Sequence, residues 1–310
     1  MNLLFHCPWS SKNLWLKSVK KYFKNQNIYT LNDNPNLSKI DFAIIWDLPN
    51  EILDKMQNVK VLFSPGAGVD HILSLPSYKG QSIIRVKSNA MAERMMNHVL
   101  SQILYYQLNL KKYYEAQKQQ TWIDEIEPVL NKKITIGILG LGFLGSFVAN
   151  KLDKNGYNVL GFKNSKSKKK YSFKVYYKKK DLKKFINKCN IIVNILPLTN
   201  DTKEIINKKF LINMKKKSLF INVGRGLTVN EQDLIFHLKR NKEFYASLDV
   251  FNNEPLSNSN PLWNLENVLI TPHVASLTVI DDAIEHIYMK FLEFKKNGKI
   301  KNEVNIKKGY

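Results

Sequence analysis

The sequence predicts an α/β protein built as two doubly wound parallel-sheet domains with a cleft between them. Three observations predict it. From Ile134 to Thr271, short apolar runs alternate with amphipathic, lysine-rich segments, the pattern of strands that need a crossover helix between them. The first part of the chain repeats that style on a smaller scale. At 310 residues, 44% of them hydrophobic, the chain is long enough to bury two cores.

In order, Leu3 to Cys7, Phe42 to Trp46, Val61 to Phe63 and Ile83 to Val86 read as strands of the first domain, separated by shorter helices. Asn89 to Lys118, rich in Leu, Met and Tyr, reads as one long helix bridging the domains, with an apolar stripe that a partner subunit could cover. After the strand that opens at Ile134 come strands at Asn158 to Phe162, Asn190 to Leu196, Ser218 to Val223, Tyr245 to Val250 and Val268 to Ile270. Helical patterns at Ser146 to Asn155, closed by Gly156, then Asp181 to Lys188, Asn207 to Met214 and Glu231 to Arg240 fall between them. A last helix, Thr278 to Lys296, follows the finished second sheet and is expected to pack back on the first domain.

The formal charge of +22, with Lys166, Lys168, Lys169, Lys170, Lys178, Lys179 and Lys180 crowded together, invites a nucleic-acid reading. Lysines, however, cover every polar face from Lys12 to Lys308 without interleaved aromatics, and Asn and Ile are abundant too, which looks like compositional drift. No nucleic-acid partner is therefore expected. No apolar run approaches the roughly 18 to 20 residues of a membrane span, and Met1 to Pro8 lacks the pattern of a secretory signal, so a cytoplasmic protein is the expectation. Cys7 and Cys189 stand apart without metal-ligand spacing and read as small buried hydrophobes, and no metal site is expected.

The most informative stretch is the strand ending at Leu139 that runs into Gly140-Leu141-Gly142-Phe143-Leu144-Gly145 and then a helix. Gly140 permits the tight turn, Gly142 lets backbone approach a pyrophosphate, Gly145 lets helix pack on strand, and the helix N-terminus faces the phosphates. The second sheet is thus a Rossmann-like, dinucleotide-binding unit. Ligands of open α/β sheets sit beyond the carboxyl ends of the strands, and three ionisable groups follow those ends: Arg225, Glu254 and His273. Arg225 can fork onto a carboxylate and its neighbouring keto oxygen. His273 as imidazolium can protonate an oxygen that gains charge, and Glu254 on its far nitrogen would raise the imidazole pKa and fix its tautomer. Taken singly, Arg225 could be a turn residue and Glu254 a loop cap; jointly they suit hydride transfer to a carbonyl beside a carboxylate. The other histidines, His6, His71, His98, His237 and His286, read as structural.

Gly140 to Gly145, Asn222-Val223-Gly224-Arg225-Gly226, Leu248 to Pro255 and Thr271-Pro272-His273-Val274-Ala275 together resemble the D-isomer-specific 2-hydroxyacid dehydrogenases, over essentially the whole chain. Gly66-Ala67-Gly68-Val69-Asp70, Val99-Leu100-Ser101-Gln102, Pro261-Leu262-Trp263 and Gly309-Tyr310 look like the glyoxylate/hydroxypyruvate reductase A branch. The resemblance implies a discontinuous substrate-binding domain, 1–98 with 279–310, and a dinucleotide-binding domain, 99–278. It implies that Arg225 orients substrate, that His273 donates the proton with Glu254 as its partner, and that backbone N–H groups of Gly66, Ala67 and Gly68 hold the substrate carboxylate. It also places Trp46 in the pocket wall, Asp249 near the nicotinamide carboxamide unless it only caps a helix, and Leu196, Pro197 and Val223 along the cofactor. A homodimer is expected on the same ground.

An acidic residue about 20 residues past the glycines would take the ribose hydroxyls of NAD. None is present: the second strand runs instead into Lys163-Asn164-Ser165-Lys166-Ser167-Lys168, cations and small donors suited to a 2′-phosphate unless the lysines belong to the general drift. NADPH is predicted over NADH, with Asn164, Ser165 and Lys166 at the phosphate. The predicted activity is reduction of glyoxylate to glycolate and hydroxypyruvate to D-glycerate. A D-lactate-type or bulkier 2-oxo acid reductase, and a non-catalytic nucleotide sensor like the C-terminal binding proteins, are the rival readings.

Overall fold

A computed structural model describes residues 1–124, 127–164, 169–300 and 304–310. The chain divides into two compact units, Met1–Met91 with Thr278–Tyr310, and Ala92–Leu277. The sequence drew its limits at 98/99 and 278/279; those of the structure fall at 91/92 and 277/278.

The first unit holds β1 (Asn2–His6), β2 (Asn27–Tyr29), β3 (Phe42–Ile45), β4 (Val61–Ser64) and β5 (Ser82–Arg85) in the order β2-β1-β3-β4-β5. Every pairing is parallel. Because helices cover both faces, the central strands are apolar without alternation: Phe42, Ala43, Ile44 and Ile45 are all fully buried. The helices are α1 (Lys12–Tyr22), α2 (Asn50–Lys55), α3 (Asp70–Leu73) and α10 (Ile280–Asn297). α10 packs on α1 and on Phe23, which follows it, through Tyr288 and Phe291, and Asp281 takes hydrogen bonds from Ser18 (2.5 Å) and Lys21 (2.9 Å).

The second unit runs through α4 (Asn89–Gln107), which starts before its boundary, and α5 (Leu110–Lys118), then β6 (Thr135–Leu139), α6 (Phe143–Lys154), β7 (Asn158–Lys163) and β8 (Lys174–Tyr177). It continues through α7 (Leu182–Ile186), β9 (Ile191–Asn194), α8 (Lys208–Leu211), β10 (Ser218–Asn222), α9 (Glu231–Arg240), β11 (Phe244–Leu248) and β12 (Val268–Ile270). The order β12-β11-β10-β9-β6-β7-β8 is all parallel and reverses direction between β6 and β9, the switch point at which such sheets bind ligands. Side chains alternate between two buried faces: Leu219 and Ile221 enter one core, and Phe220 enters the other.

Two departures from the sequence reading have local causes. The long helix expected from Asn89 to Lys118 breaks at Asn109, whose φ of 55° is left-handed and ends one helix before the next begins. β2 and β8 went unread because both are short strands at a sheet edge. β8, with the sequence Lys-Val-Tyr-Tyr, opens on a lysine at the outer edge, as edge strands commonly do.

Candidate active site

Strand register gathers the second unit's chemistry at one edge. Leu139 pairs with Asn194, Asn194 with Asn222, Asn222 with Leu248 and Leu248 with Ile270, so β6, β9, β10, β11 and β12 end level with one another. The segments carrying Gly140, Leu196, Arg225, Glu254 and His273 therefore all leave the sheet from the same side. By contrast, a cavity of about 470 Å³ lined by Ile134, Asn190, Lys217, Tyr245 and Asn267 opens at the other end of these strands, so it is not where these groups converge.

At the glycine turn, Gly140 has φ +93° and lies so close to the next loop that a Cβ would sit 2.8 Å from the Ile195 carbonyl oxygen. A Cβ at Gly145 would collide with the Gly140 carbonyl, which is why α6 can approach β6 this closely. A Cβ at Gly142, in contrast, would meet nothing within 4 Å. That clear space at the first turn of a twelve-residue helix, where backbone N–H groups lack intrahelical partners, fits a pyrophosphate. Phe143 is exposed and Leu144 half-buried at that turn, whereas the Leu141 side chain belongs to the core, so only its backbone is available to a ligand. Asn164 is exposed at the end of β7, while Ser165 and Lys166 lie outside the described residues. Leu196 and Pro197 are half-buried after β9, and Val223 is buried.

Arg225 is held by a buried polar network that the sequence reading missed. Asn194 Nδ2 donates to Asn222 Oδ1 (2.9 Å) and Thr228 Oγ1 (2.8 Å), and Thr228 Oγ1 donates to the Arg225 carbonyl (2.6 Å). All three residues are essentially inaccessible, and buried polar groups this well satisfied fix a single local geometry. Arg225 Nη1 donates to the Gly224 carbonyl (2.9 Å), which directs the side chain. The legible signal was an Asn closing an otherwise apolar strand, twice.

His273 has φ +54°, a backbone conformation that costs a non-glycine residue about 1–2 kcal/mol. Asp249 holds it there. The His273 N–H donates to the Asp249 carbonyl (2.8 Å). The Asp249 carboxylate, 1% exposed, accepts from Thr271 Oγ1 (2.6 Å), the Val274 N–H (2.9 Å) and the Ala275 N–H (2.9 Å). This carboxylate is thus committed to the turn that presents His273.

His273 Nδ1 lies 2.6 Å from Glu254 Oε2, and Glu254 Oε1 accepts the Phe251 N–H at 2.9 Å. Burial pushes the Glu254 carboxyl up, but the hydrogen bonds from His273 and Phe251 and the nearby charges of His273 and Arg225 outweigh it and hold the group below its ordinary value. Glu254 is therefore favoured as a carboxylate, a hydrogen-bond acceptor facing His273 Nδ1. The Nε2 edge of His273 is left for other work on a side chain that is 45% exposed. His98 and His237 are both pushed down by burial, in keeping with structural roles.

In the first unit, Trp46 and Gly66-Ala67-Gly68 follow β3 and β4, neighbouring parallel strands, and so leave that sheet from its carboxyl edge. Trp46 is half-buried, Gly66 is buried, and Ala67 and Gly68 are half-buried. Among the described residues no group of three or more His, Cys, Asp or Glu side chains could hold a metal, and no helix is long and apolar enough to cross a membrane.

A turn of glycines at a parallel-sheet switch point, with an imidazole set against a carboxylate and a fixed guanidinium at neighbouring strand ends, defines a nucleotide-dependent oxidoreductase that acts on a polar carbonyl or alcohol. Residues 100–275 match the model of the D-isomer specific 2-hydroxyacid dehydrogenase NAD binding domain, and the chain belongs to that family. It is an NAD(P)-dependent 2-hydroxyacid oxidoreductase.

Among solved structures it is similar to the NADPH-dependent glyoxylate/hydroxypyruvate reductase of Sinorhizobium meliloti, crystallised with NADP and sulfate: 28% identity, 100% of this chain and 99% of that one, TM-score 0.93. A D-isomer specific 2-hydroxyacid dehydrogenase from Xanthobacter autotrophicus, with NADPH and MES, is 27% identical over 100% of this chain and 99% of that one, with a TM-score of 0.92. A probable 2-hydroxyacid dehydrogenase from Rhizobium etli, with NADP, HEPES and L(+)-tartaric acid, gives 28%, 100%, 99% and 0.90.

Proposed function

We propose that this protein uses NADPH to reduce small 2-oxo acids, glyoxylate to glycolate and hydroxypyruvate to D-glycerate, with His273 as the proton donor. The observation that carries the reading is the 2.6 Å pair of His273 and Glu254 within reach of the Arg225 charge. When bound, NADPH supplies the hydride. Arg225 forks onto the substrate carboxylate and keto oxygen, fixing the carbonyl and drawing charge toward its oxygen. As the carbonyl carbon gains the hydride, its oxygen takes the proton from His273 Nε2, leaving a hydroxyl. Glu254, kept ionised, stabilises the imidazolium before transfer and holds the tautomer that returns a proton to Nε2 afterwards.

The cofactor would be held by backbone at Gly140 to Gly145, by Leu196, Pro197 and Val223, and by Asn164, Ser165 and Lys166 at a 2′-phosphate, with Asp249 supporting the nicotinamide end through the His273 turn. Trp46 and the N–H groups of Gly66, Ala67 and Gly68 are assigned to the substrate carboxylate, which makes the first unit the substrate-binding domain. NADPH use is supported by the cationic sequence after β7 and by the NADP or NADPH in the three similar structures described above. The reading includes a homodimer in the cytoplasm. Support for the dimer comes from Leu108, Leu110, Tyr113, Tyr114 and Trp122, exposed on one stretch of the second unit.

The test is cofactor oxidation by purified protein with glyoxylate, hydroxypyruvate, pyruvate and bulkier 2-oxo acids, with NADPH and NADH in parallel. The reading expects kcat/KM at least tenfold higher with NADPH and falling as the side chain grows. Equal efficiency with both cofactors would remove the NADPH claim, and preference for a bulky acid would remove the substrate claim.

A further inference from the structure

We infer that His71, outside the catalytic set, is a positioning residue that clamps the Gly66–Gly68 loop and Trp46 for substrate carboxylate binding. This rests on the substrate-loop assignment made above.

The geometry runs through Ser64, a fully buried hydroxyl at the end of β4. Its Oγ lies 2.7 Å from the Gly68 carbonyl and 3.2 Å from His71 Nε2. A serine hydroxyl has one proton, and the shorter contact with a pure acceptor takes it. His71 Nε2 must then donate to Ser64 Oγ, which sets its tautomer. The Gly66 N–H approaches the same oxygen at 3.4 Å, so one hydroxyl ties both ends of the glycine loop to the imidazole.

The ring face of His71 does the second half of the work. It packs on Trp46 with centroids 4.1 Å apart and planes 34° from parallel. Trp46 in turn presses on the loop so closely that a Cβ at Gly66 would lie 2.9 Å from its Cζ3. Behind it Trp9 packs at 5.4 Å, and Trp9 rests on the buried Trp15 at 5.1 Å. The loop is thereby held from below by a hydrogen bond and from the side by an indole whose free face is fixed by the same imidazole. Neither contact belongs to the sheet's hydrogen-bond ladder, since His71 lies in the short helix α3 after the strand has ended.

The test compares wild type with His71→Ala, His71→Gln, which keeps a donor within reach of Ser64, and His71→Phe, which keeps a ring against Trp46. Backbone amide exchange at residues 66–68 reads the clamp without any turnover, and steady-state kinetics with glyoxylate reads its use. His71→Ala is expected to speed exchange of those amides at least tenfold and to raise KM about tenfold, with kcat within about twofold and the NADPH Kd unchanged. The Gln and Phe variants are each expected to recover part of both effects. Unchanged exchange in His71→Ala overturns the clamp. Faster exchange with an unchanged KM overturns its link to substrate, as does a matching loss of NADPH affinity, which would mark a general structural defect. A wild type that reduces no 2-oxo acid would fail the functional reading instead, and the exchange result would still decide the clamp.

Discussion

His273 and Glu254 show how a residue's role is set by what surrounds it. The carboxylate is pushed up by burial and pulled further down by His273, the Phe251 N–H and Arg225. A carboxyl with a lowered folded pKa contributes stability that is fully present above the unfolded value, near 4.3, and lost as pH falls through the folded one. Denaturant unfolding of wild type and Glu254→Gln from pH 7 to pH 3 should therefore show a gap that is constant at neutral pH and closes below about pH 4. A gap that widens on acidification would contradict the assignment. Arg225, Glu254 and His273 were legible because each follows an apolar run closely enough to be placed at a strand end. Asn194 and Thr228 were not, nor was the way Asp249 holds the His273 turn, since their partners lie on or beyond other strands and depend on register that one sequence does not display. His71 read as structural, and only Ser64 and Trp46 in three dimensions give it more to do.

At the scale of elements, α9 matches the sequence reading residue for residue because Asn230 caps it, its side chain accepting the Asp233 N–H at 3.0 Å. The helix expected through Asn109 did not survive as one piece, because an apolar stripe continues past a residue whose backbone does not. Asn109→Ala should cost about 1 kcal/mol and Asn109→Gly should be neutral or slightly stabilising, read by urea midpoints at constant slope. The reverse order would mean that the Asn side chain, not its left-handed backbone, is what the position requires. β8 was hidden by the lysine run beside it, whose charges mask the brief alternation of an edge strand.

For the whole molecule, two doubly wound parallel sheets were predictable from apolar periodicity but their strand orders were not, and the return of a C-terminal helix to the first unit rested only on the second sheet being complete without it. A ligand that binds only the folded state raises stability by about 2.7 kcal/mol at a hundredfold excess over its Kd. NADPH should accordingly raise Tm by several degrees at concentrations where NADH raises it little, and equal shifts would overturn the proposed assignment of Asn164, Ser165 and Lys166 to a 2′-phosphate. The central claim is that His273 delivers the proton, and the most direct measurement is NADPH oxidation with glyoxylate by His273→Ala beside wild type, with NADPH affinity measured on both. The account predicts a loss in kcat of about 10²–10⁴-fold with an unchanged NADPH Kd. A variant that keeps most of its turnover would contradict it.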